Sequence, residues 1–357
     1  MNPNDKIYVA GHRGLAGSAI VRALEASGYR NIITRGHAEL DLTDQRAVDE
    51  FFKTEKPDFV FLAAAKVGGI HANRTYPAQF IHQNLAIQTN VIHQSYLHGV
   101  QRLLFLGSSC IYPKLAPQPI REEHLLTGPL EPTNDAYAVA KIAGIQMCWA
   151  YNQEYGTRFV PMMPNNLYGP GDNFDLLHSH VLPALIRKFH LGKLAMEKNW
   201  DAIAEDERVI GPIPAELKQA LGLPGSAAGS TSTKPQVILW GTGAPRREFL
   251  YVDDMAEAGV RLMTTPWERL AQACPDPGHP LFNVGVGADQ TIQAIAATTA
   301  QAVGYTGQII WDSAMPDGTP RKLLDVSRLN QLGWQPQIGL EEGLRRVYDW
   351  YRARTGY

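Results

Sequence analysis

Three glycines at positions 11, 14 and 17 constrain the fold of this 357-residue chain more than any other feature. They form the pattern G-x-x-G-x-x-G, which directly follows the apolar run Ile7–Ala10 and directly precedes a helical stretch, Ser18–Ser27. A strand, a glycine-rich turn and a helix in this order are typical of a dinucleotide-binding unit. The first glycine permits the tight turn, the second admits the pyrophosphate, and the third lets helix and strand pack closely. The motif predicts a dinucleotide site; the alternative is a glycine-rich turn in an unrelated α/β protein.

The pattern that begins with these glycines continues as alternating apolar and helical segments. Further apolar runs lie at Asn31–Thr34, Phe59–Ala65 and Leu103–Gly107, and the intervening stretches Arg46–Thr54 and Pro77–His98 have helical patterns. Continuous apolar strands separated by helices are typical of a parallel sheet that is covered on both faces. We therefore predict an α/β fold, a Rossmann-type doubly wound parallel sheet with a smaller C-terminal substrate lobe.

The second half of the chain is interrupted often by glycine, proline and polar residues, which predicts a different organisation. We assign residues 1–170 mainly to the dinucleotide-binding domain. Residues 171–357 form mainly the substrate lobe, with some segments returning to the first domain. Residues 196–235 are interpreted as an insertion, and the low-complexity stretch Leu223–Pro235 within it predicts a flexible surface loop.

Composition excludes several classes of function. Lys and Arg number 33 against 35 Asp and Glu, a net charge of −2, which argues against a nucleic-acid partner. The cysteines Cys110, Cys148 and Cys274 are too few and too scattered for a disulfide framework or a zinc site, so no metal site is predicted. No signal peptide or membrane span is recognised, and we expect a cytoplasmic protein without a membrane partner.

The choice of dinucleotide depends on the residues near the end of the second predicted strand. An acid about 20 residues beyond the glycine motif would bind the 2′-hydroxyl of NAD. Here that region carries Arg35, and the motif itself carries Arg13. Two guanidinium groups suit a 2′-phosphate, which favours NADP(H). The nearby acids Glu39 and Asp41 leave NAD open as the alternative.

A second motif, Tyr137-x-x-x-Lys141, predicts the catalytic centre. Residues four apart share one face of a helix, so the phenol and the ammonium point into the same space. The ammonium is expected to lower the phenol pKa and to yield a proton donor near neutral pH. Ser108 follows the predicted strand Leu103–Gly107, at the strand end where open α/β sheets bind ligands, and is placed to hold the reacting oxygen.

Several longer motifs resemble the GDP-L-fucose synthase family of the extended short-chain dehydrogenases/reductases. The likeness covers nearly the whole chain. It includes Ala64–Ile70, Gly107–Lys114, Glu131–Asn134, Pro164–Pro170, Ser179-His180, Arg247–Phe249 and Pro316–Asp325. It implies an NADPH-dependent conversion of GDP-4-keto-6-deoxymannose to GDP-L-fucose, by epimerisation at C3 and C5 and then reduction at C4. It also implies a homodimer formed through two helices, one of which would carry Tyr137 and Lys141.

The resemblance implies a proton-transfer pair, Cys110 and His180, in addition to Ser108, Tyr137 and Lys141. A lone cysteine is more often a small buried apolar residue, and this alternative stays open for Cys110. A lone histidine is more often structural, and His180 has a neighbour of the same type at position 178. The two histidines would share a face on a strand but not on a helix.

The resemblance also implies the residues that hold the two ligands. For the GDP-sugar they are Lys188, Trp240, Arg247 and Asp317, although Trp240 is alternatively a core residue and Arg247 a partner of Glu248. Asn165-Asn166 stands where some family members have Thr-Asn. The implied cofactor-binding residues are Gly11, His12, Arg13, Gly14, Leu15, Ala16, Gly17, Arg35, Asp41, Ala64, Leu106, Gly107, Ser108, Ser109, Lys141, Pro164, Asn165, Asn166, Leu167 and His180.

Three competing functions remain at this stage. The first is another nucleotide-sugar epimerase or reductase on the same fold. The second is a 4,6-dehydratase, which would need a carboxylate where Cys110 stands. The third is a regulator that senses NADP(H), in which loss of Tyr137 or Lys141 would be expected. The retained tyrosine, lysine and cysteine favour the epimerase and reductase.

Overall fold

The computed structural model of the chain describes residues 1–223, 235–315 and 317–356. The predicted flexible loop lies outside these residues, apart from its ends Leu223 and Pro235. The chain divides into two compact units. Unit 1 comprises Met1–Leu167, Glu248–Gly287 and Leu323–Gln337, and unit 2 comprises Tyr168–Arg247, Ala288–Lys322 and Ile338–Tyr357.

Strands and helices alternate through the first 164 residues and less regularly thereafter. The strands are β1 (Ile7–Ala10), β2 (Ile32–Ile33), β3 (Phe59–Leu62), β4 (Arg102–Leu106), β5 (Phe159–Pro164), β6 (Asn166–Tyr168), β7 (Gln236–Trp240), β8 (Arg246–Arg247), β9 (Phe249–Tyr251), β10 (Phe282–Val284), β11 (Gln290–Thr291), β12 (Gln308–Asp312) and β13 (Arg321–Lys322). The helices are α1 (Leu15–Ala26), α2 (Gln45–Glu55), α3 (Ile70–Thr75), α4 (Pro77–Leu97), α5 (Asp135–Tyr155), α6 (Val181–Met196), α7 (Trp200–Ile210), α8 (Ala215–Ala220), α9 (Val252–Thr264), α10 (Trp267–Gln272), α11 (Ile292–Val303), α12 (Ser327–Gln331) and α13 (Leu340–Thr355).

Unit 1 is built on a six-stranded sheet in the order β10-β5-β4-β3-β1-β2, in which every pairing is parallel. This confirms the predicted Rossmann-type fold. All residues of β1 and β3 are buried. Successive side chains of a strand point to opposite faces. Accordingly, Ile7 and Val9 enter one apolar core while Tyr8 and Ala10 enter the other. The need to fill both cores explains why the strand sequence is apolar throughout.

Unit 2 contains a parallel pair, β12 and β7, and a three-stranded sheet in the order β11-β8-β13. The 196–235 segment contributes two helices to this unit, α7 and α8. Within the parts of the chain that the structure describes, no helix combines the length and apolarity needed to cross a membrane.

A fully buried ion pair connects helix α7 to its own unit. Arg187 on α6 bonds to Asp206 on α7 at 2.9 Å, and the hydroxyl of Tyr351 on α13 also donates to Asp206. The same guanidinium donates to the carbonyl oxygens of Phe174 at 3.3 Å and Gly211 at 2.5 Å. Helix α7 is therefore joined to α6 and α13 by a buried polar network rather than by apolar packing alone.

Replacing Asp206 by Asn should destabilise unit 2 strongly, because it leaves the buried Arg187 charge without a counter-ion. Loss of one partner of a buried pair lowers the free energy of unfolding by about 3–5 kcal/mol. Denaturant titration of the full chain measures this change. Glu205→Gln is the control. Glu205 directly precedes Asp206 in the sequence, and its substitution breaks an exposed ion pair with Arg208. It should leave the unfolding midpoint nearly unchanged, and equal effects of the two substitutions would contradict the prediction.

Candidate active site

The glycine motif forms a turn that side chains would block. Gly11 has a φ of +85°, and a Cβ there would lie 2.7 Å from the amide nitrogen of Ala64 at the end of β3. A Cβ on Gly17 would lie 2.1 Å from the carbonyl oxygen of Gly11, whereas one on Gly14 would lie 3.5 Å from it. Gly14 caps α1, whose first N–H groups lack partners within the helix. This open helix end fits the pyrophosphate of a dinucleotide.

The two predicted 2′-phosphate cations have different surroundings. Arg35 bonds to Glu55 at 2.5 Å and donates to the carbonyl oxygen of Thr34 at 2.8 Å. Arg13 is exposed, and a Cβ on Gly36 would lie 3.1 Å from its guanidinium carbon. No ion pair of Arg13 occurs among the described residues. Arg13 therefore lies beside the backbone that follows β2, where the Glu39 carboxylate also approaches Gly36.

The two acids that left NAD open as an alternative both bind nearby backbone. Asp41 accepts hydrogen bonds from the backbone N–H and the hydroxyl of Thr43 at 2.9 and 2.8 Å, which hold its pKa below the usual range. Glu39 accepts from the N–H of Gly36 at 2.6 Å. Each carboxylate thus accepts hydrogen bonds from a turn in its own segment rather than standing free at the end of β2.

The turn that follows β4 carries Ser108 and Cys110. Ser108 precedes a 3-10 turn, Ser109–Ile111, and its hydroxyl accepts from the N–H of Cys110 at 3.4 Å. A Cβ on Gly107 would lie 2.2 Å from the Met163 side chain, so the strand end passes closely over its neighbour β5. This geometry places both predicted catalytic side chains at the carboxyl end of the sheet.

Lys141 is buried on α5. Its ammonium donates to the carbonyl oxygen of Leu106 at 2.8 Å and lies 4.8 Å from the ring centroid of Phe105. The same nitrogen lies 5.9 Å from the ring centroid of Tyr137. Burial lowers the pKa of Lys141 to about 8, and an ionised Cys110 would oppose the shift. The lysine and the tyrosine thus share one face of the helix, as predicted from their spacing.

The predicted direction of the Tyr137 pKa shift is wrong in this structure. Burial raises the pKa of the phenol above its ordinary value, and an ionised Cys110 would raise it further. The Lys141 ammonium instead binds the carbonyl of Leu106. The phenol is therefore protonated at neutral pH, which is the state in which it can donate a proton.

Cys110 lies within electrostatic range of the two predicted catalytic residues on α5. It is 9% exposed, as expected both for a small apolar core residue and for a shielded acid or base. An ionised Cys110 sulfur would raise the pKa of Tyr137 and of Lys141, however, so the sulfur lies within electrostatic range of both groups. Unit 1 thus brings together four of the five predicted catalytic residues.

His180 belongs to unit 2 and stands at the N-cap of α6. It is exposed, whereas Nδ1 of His178 lies 2.7 Å from a carboxylate oxygen of Asp175. The segment is neither a strand nor a helix at these positions. The two geometries considered from the sequence therefore do not apply, and the Asp175 contact distinguishes His178 from His180.

Two of the predicted substrate residues lie on α6 and β7. The Lys188 ammonium donates to the carbonyl oxygen of Ile238 at 3.3 Å, and burial lowers its pKa. Trp240 ends β7 and is 70% exposed. The alternative that Trp240 is a core residue is therefore wrong, because its indole ring lies outside the core of unit 2.

The other two substrate residues lie close together. Asp317 accepts from the N–H and the hydroxyl of Thr242 at 2.9 and 2.7 Å, which fixes the turn after Trp240. A Cβ on Gly318 would lie 3.2 Å from the guanidinium of Arg247. Arg247 donates to the carbonyl oxygen of Arg246 at 2.8 Å. Unit 2 thus gathers an exposed indole, a guanidinium and a carboxylate around one turn.

One buried polar group was missed from the sequence. Glu248 is 1% exposed, and its carboxylate is occupied by N–H donors, one of them from Asn165, rather than by Arg247. Asn165 in turn accepts from the hydroxyl of Ser109 at 3.0 Å. The available signal was an acid directly preceding the apolar run Phe249–Val252, where a buried carboxylate requires partners.

Comparison with known proteins decides the family. The NAD dependent epimerase/dehydratase family matches residues 7–273. The chain belongs to this family. It is 51% identical over 346 residues to a putative GDP-L-fucose synthase 2 of Arabidopsis thaliana, covering 97% of this chain and 91% of the relative. It is 49% identical over 347 residues to the GDP-L-fucose synthase of Escherichia coli (strain K12), covering 97% and 96%. These relatives confirm the resemblance drawn from the motifs.

A solved structure also matches nearly the whole chain. The GDP-mannoheptose C4 reductase of Campylobacter jejuni, with NADP bound, is 38% identical. The match has a TM-score of 0.81 and covers 99% of both chains. The fold and the enzyme class of this epimerase/dehydratase family member are therefore consistent at the levels of sequence and structure.

Replacing Arg13 by Ala should weaken NADPH binding more than NADH binding, because only NADPH carries the 2′-phosphate. Loss of a charged hydrogen bond costs about 1.5–3 kcal/mol, or roughly 10- to 100-fold in Kd. Arg35→Ala should have a smaller effect because Glu55 already holds that guanidinium. Calorimetric titration with both cofactors measures the preference, and the exposed Arg30→Ala is the control. Equal losses for NADPH and NADH would rule out Arg13 as the phosphate ligand.

Proposed function

We propose that this family member is an NADPH-dependent 3,5-epimerase and 4-reductase that converts GDP-4-keto-6-deoxy-D-mannose to GDP-L-fucose. The observation that carries the proposal is the position of Cys110 beside Ser108, Tyr137 and Lys141. Ketone reduction requires a protonated donor on oxygen, which Tyr137 supplies. A thiol at the same place adds a group able to exchange protons with carbon, which reduction alone does not need.

The epimerisation follows from the acidity of hydrogens beside a ketone. The 4-keto group acidifies the C–H bonds at C3 and C5, and removing either proton gives an enolate. The hydroxyl groups of Ser108 and Tyr137 would stabilise the enolate oxygen. Inversion needs one group to take a proton and another to return one to the opposite face. Cys110 and His180 are the pair that the family resemblance implies.

The reduction uses the same donors on oxygen. The glycine turn and Arg13 would hold NADPH, which would provide the hydride for C4. Tyr137 donates its proton to the C4 oxygen as the carbonyl becomes an alcohol, and Lys141 keeps positive charge near the resulting phenolate. One hydride and one proton are consumed for each ketone, so the reaction balances without a further reactant.

The nucleotide end of the substrate matches the cluster in unit 2. The exposed indole of Trp240 offers a face for stacking on guanine or a sugar. The guanidinium of Arg247 and the ammonium of Lys188 would bind the diphosphate. Asp317, which is exposed and ionised, would accept hydrogen bonds from hydroxyl or N–H groups of the ligand.

A second candidate is a C4 reductase that does not epimerise its GDP-sugar. It is favoured by the likeness to the GDP-mannoheptose C4 reductase at a TM-score of 0.81. A dehydratase is less well supported, because a thiol rather than a carboxylate stands at position 110. A regulator without activity is opposed by the presence of Tyr137 and Lys141 on one face of α5.

We also propose a homodimer formed through α5, the helix that the family resemblance implies, together with its neighbour α4. Three large apolar side chains on these helices are exposed, namely Leu97, Val139 and Tyr155. A partner surface would remove them from water, which is favourable in proportion to the apolar area buried.

Replacing Tyr137 by Phe should lower the rate of NADPH oxidation with GDP-4-keto-6-deoxy-D-mannose by about 100- to 10,000-fold, the usual contribution of a proton donor. The affinity for NADPH should stay close to that of the unaltered protein. Single-turnover kinetics and cofactor titration measure the two quantities. Near-normal turnover by Tyr137→Phe would remove the phenol from the mechanism.

Replacing Cys110 by Ser should stall inversion while hydride transfer continues. A serine hydroxyl has a pKa far above neutrality and exchanges protons with carbon poorly, whereas Ser108, Tyr137 and Lys141 remain in place. Deuterium uptake at C3 and C5 from heavy water, with product stereochemistry read by NMR, measures the separation. Full uptake and normal GDP-L-fucose from Cys110→Ser would exclude the thiol. No uptake by the unaltered protein would favour the C4 reductase.

A further inference from the structure

A chain of hydrogen bonds within unit 1 connects the catalytic turn to a buried acid. The Ser109 hydroxyl donates to the side-chain oxygen of Asn165 at 3.0 Å. The Asn165 amide then donates to a carboxylate oxygen of Glu248 at 2.6 Å. Ser109 is 4% exposed and Asn165 5% exposed, so this relay is shielded from water. The relay runs from Glu248 to Ser109, which directly precedes Cys110 in the sequence.

The carboxylate at the end of this relay is held by N–H donors alone. One oxygen of Glu248 accepts from Asn165 and from the backbone N–H of Leu324 at 2.9 Å. The other oxygen accepts from the N–H groups of Val286 and Gly287, both at 3.0 Å. Burial raises the pKa of Glu248, but these four donors favour the ionised form. A proton on either oxygen would meet an N–H group rather than an acceptor.

The ionised carboxylate fixes the direction of the whole relay. A carboxylate only accepts hydrogen bonds, so the NH₂ group of Asn165 must face Glu248. The amide oxygen must then face Ser109, which leaves the Ser109 hydroxyl as the donor. The side chain of Asn165 is thereby fully engaged within the protein, although its position in the sequence had suggested a cofactor contact.

A second relay holds the other end of the same turn. The Tyr112 hydroxyl donates to the side-chain oxygen of Asn283 at 2.6 Å. The backbone N–H of Asn283 donates to the carboxylate of Glu122 at 2.9 Å. Tyr112 and Asn283 are both almost fully buried. Cys110 therefore lies between Ser109 and Tyr112. The side chain of Ser109 is connected through Asn165 to the buried Glu248, and that of Tyr112 is connected through Asn283 to the buried Glu122.

We propose that Asn165 and Glu248 are positioning residues that hold the Cys110 thiol for proton exchange with substrate carbon. This inference rests on the proposed epimerase function. On α5, the lysine that serves reduction is held separately, because Lys141 binds the carbonyl of Leu106 and Gln88 donates to the carbonyl of Ala140 at 2.6 Å. Loosening the Asn165 relay consequently affects carbon–hydrogen exchange more than hydride transfer.

The experiment compares Asn165→Ala with Asn165→Thr. Alanine removes both the donor and the acceptor, whereas a threonine hydroxyl can accept from Ser109 and donate to Glu248. In Asn165→Ala, deuterium uptake at C3 and C5 should fall by about 10-fold or more, since small displacements of a reacting group have effects of up to about 100-fold. Hydride transfer in single turnovers should fall by much less. Asn165→Thr should recover most of the lost uptake.

An independent measurement follows Cys110 itself. Alkylation by iodoacetamide, mapped to the Cys110 peptide by mass spectrometry, should be faster in Asn165→Ala because the loosened turn exposes a buried thiol. It should return towards the original rate in Asn165→Thr. The control is Asn152→Ala, which removes the bonds of the Asn152 side chain to Phe159 and Thr157 at the far end of α5. It should lower stability and leave Cys110 alkylation unchanged.

Several results would overturn the proposal. They are equal losses of exchange and hydride transfer in Asn165→Ala, a threonine variant as slow as the alanine variant, or unchanged alkylation of Cys110. If Asn165→Ala does not fold, Ser109→Ala deletes the same hydrogen bond with a smaller change and is judged by the same measurements. If the unaltered protein takes up no deuterium, the proposed epimerase function fails, and the alkylation series alone then decides whether Asn165 positions the thiol.

Discussion

The approach of α1 to the turn after β1 leaves no room for a side chain. The Cβ position of Gly17 falls on the carbonyl oxygen of Gly11, and that of Gly11 falls on the backbone at Ala64. Because these contacts are made by backbone, they also fix where β1 and β3 end relative to the start of α1. The open helix end at Gly14 results from the same approach. One steric requirement thus creates both the topology of the first βαβ unit and its fit to a pyrophosphate.

The remaining chemistry of unit 1 lies at the carboxyl ends of the strands, where a parallel sheet exposes backbone that its helices do not cover. Lys141 uses the carbonyl of Leu106, the last residue of β4, as its anchor. The same strand then turns into Ser108 and Cys110. Helix α5, which carries Tyr137, and the turn that carries Cys110 are therefore both positioned by the end of β4. This explains how residues about 30 positions apart in the sequence are held near each other in the fold.

Sequence patterns predicted the parts of this arrangement that depend on local chain geometry. The glycine turn, the apolar strands and the shared helix face of Tyr137 and Lys141 follow from residue spacing over a few positions. Properties set by distant residues were not predictable in this way. The Tyr137 pKa is governed by burial, Arg35 is paired with Glu55 from the following helix, and Glu248 collects donors from three separate segments. Each of these depends on which groups meet after the chain has folded.

The buried acids differ in how their charge is compensated, and the difference bears on function. Asp206 is paired with the guanidinium of Arg187, whose own charge balances it, and this pair joins α7 to α6 within unit 2. Glu248 receives only N–H groups, which stabilise negative charge without cancelling it. A positively charged side chain beside Glu248 would have neutralised the carboxylate, but it could have bound the carboxylate in several orientations. Donors of fixed direction instead impose one orientation on Asn165, and through it on Ser109. Compensation of the Glu248 charge by N–H groups, rather than by a cation, is therefore what gives the turn around Ser109 and Cys110 a single geometry.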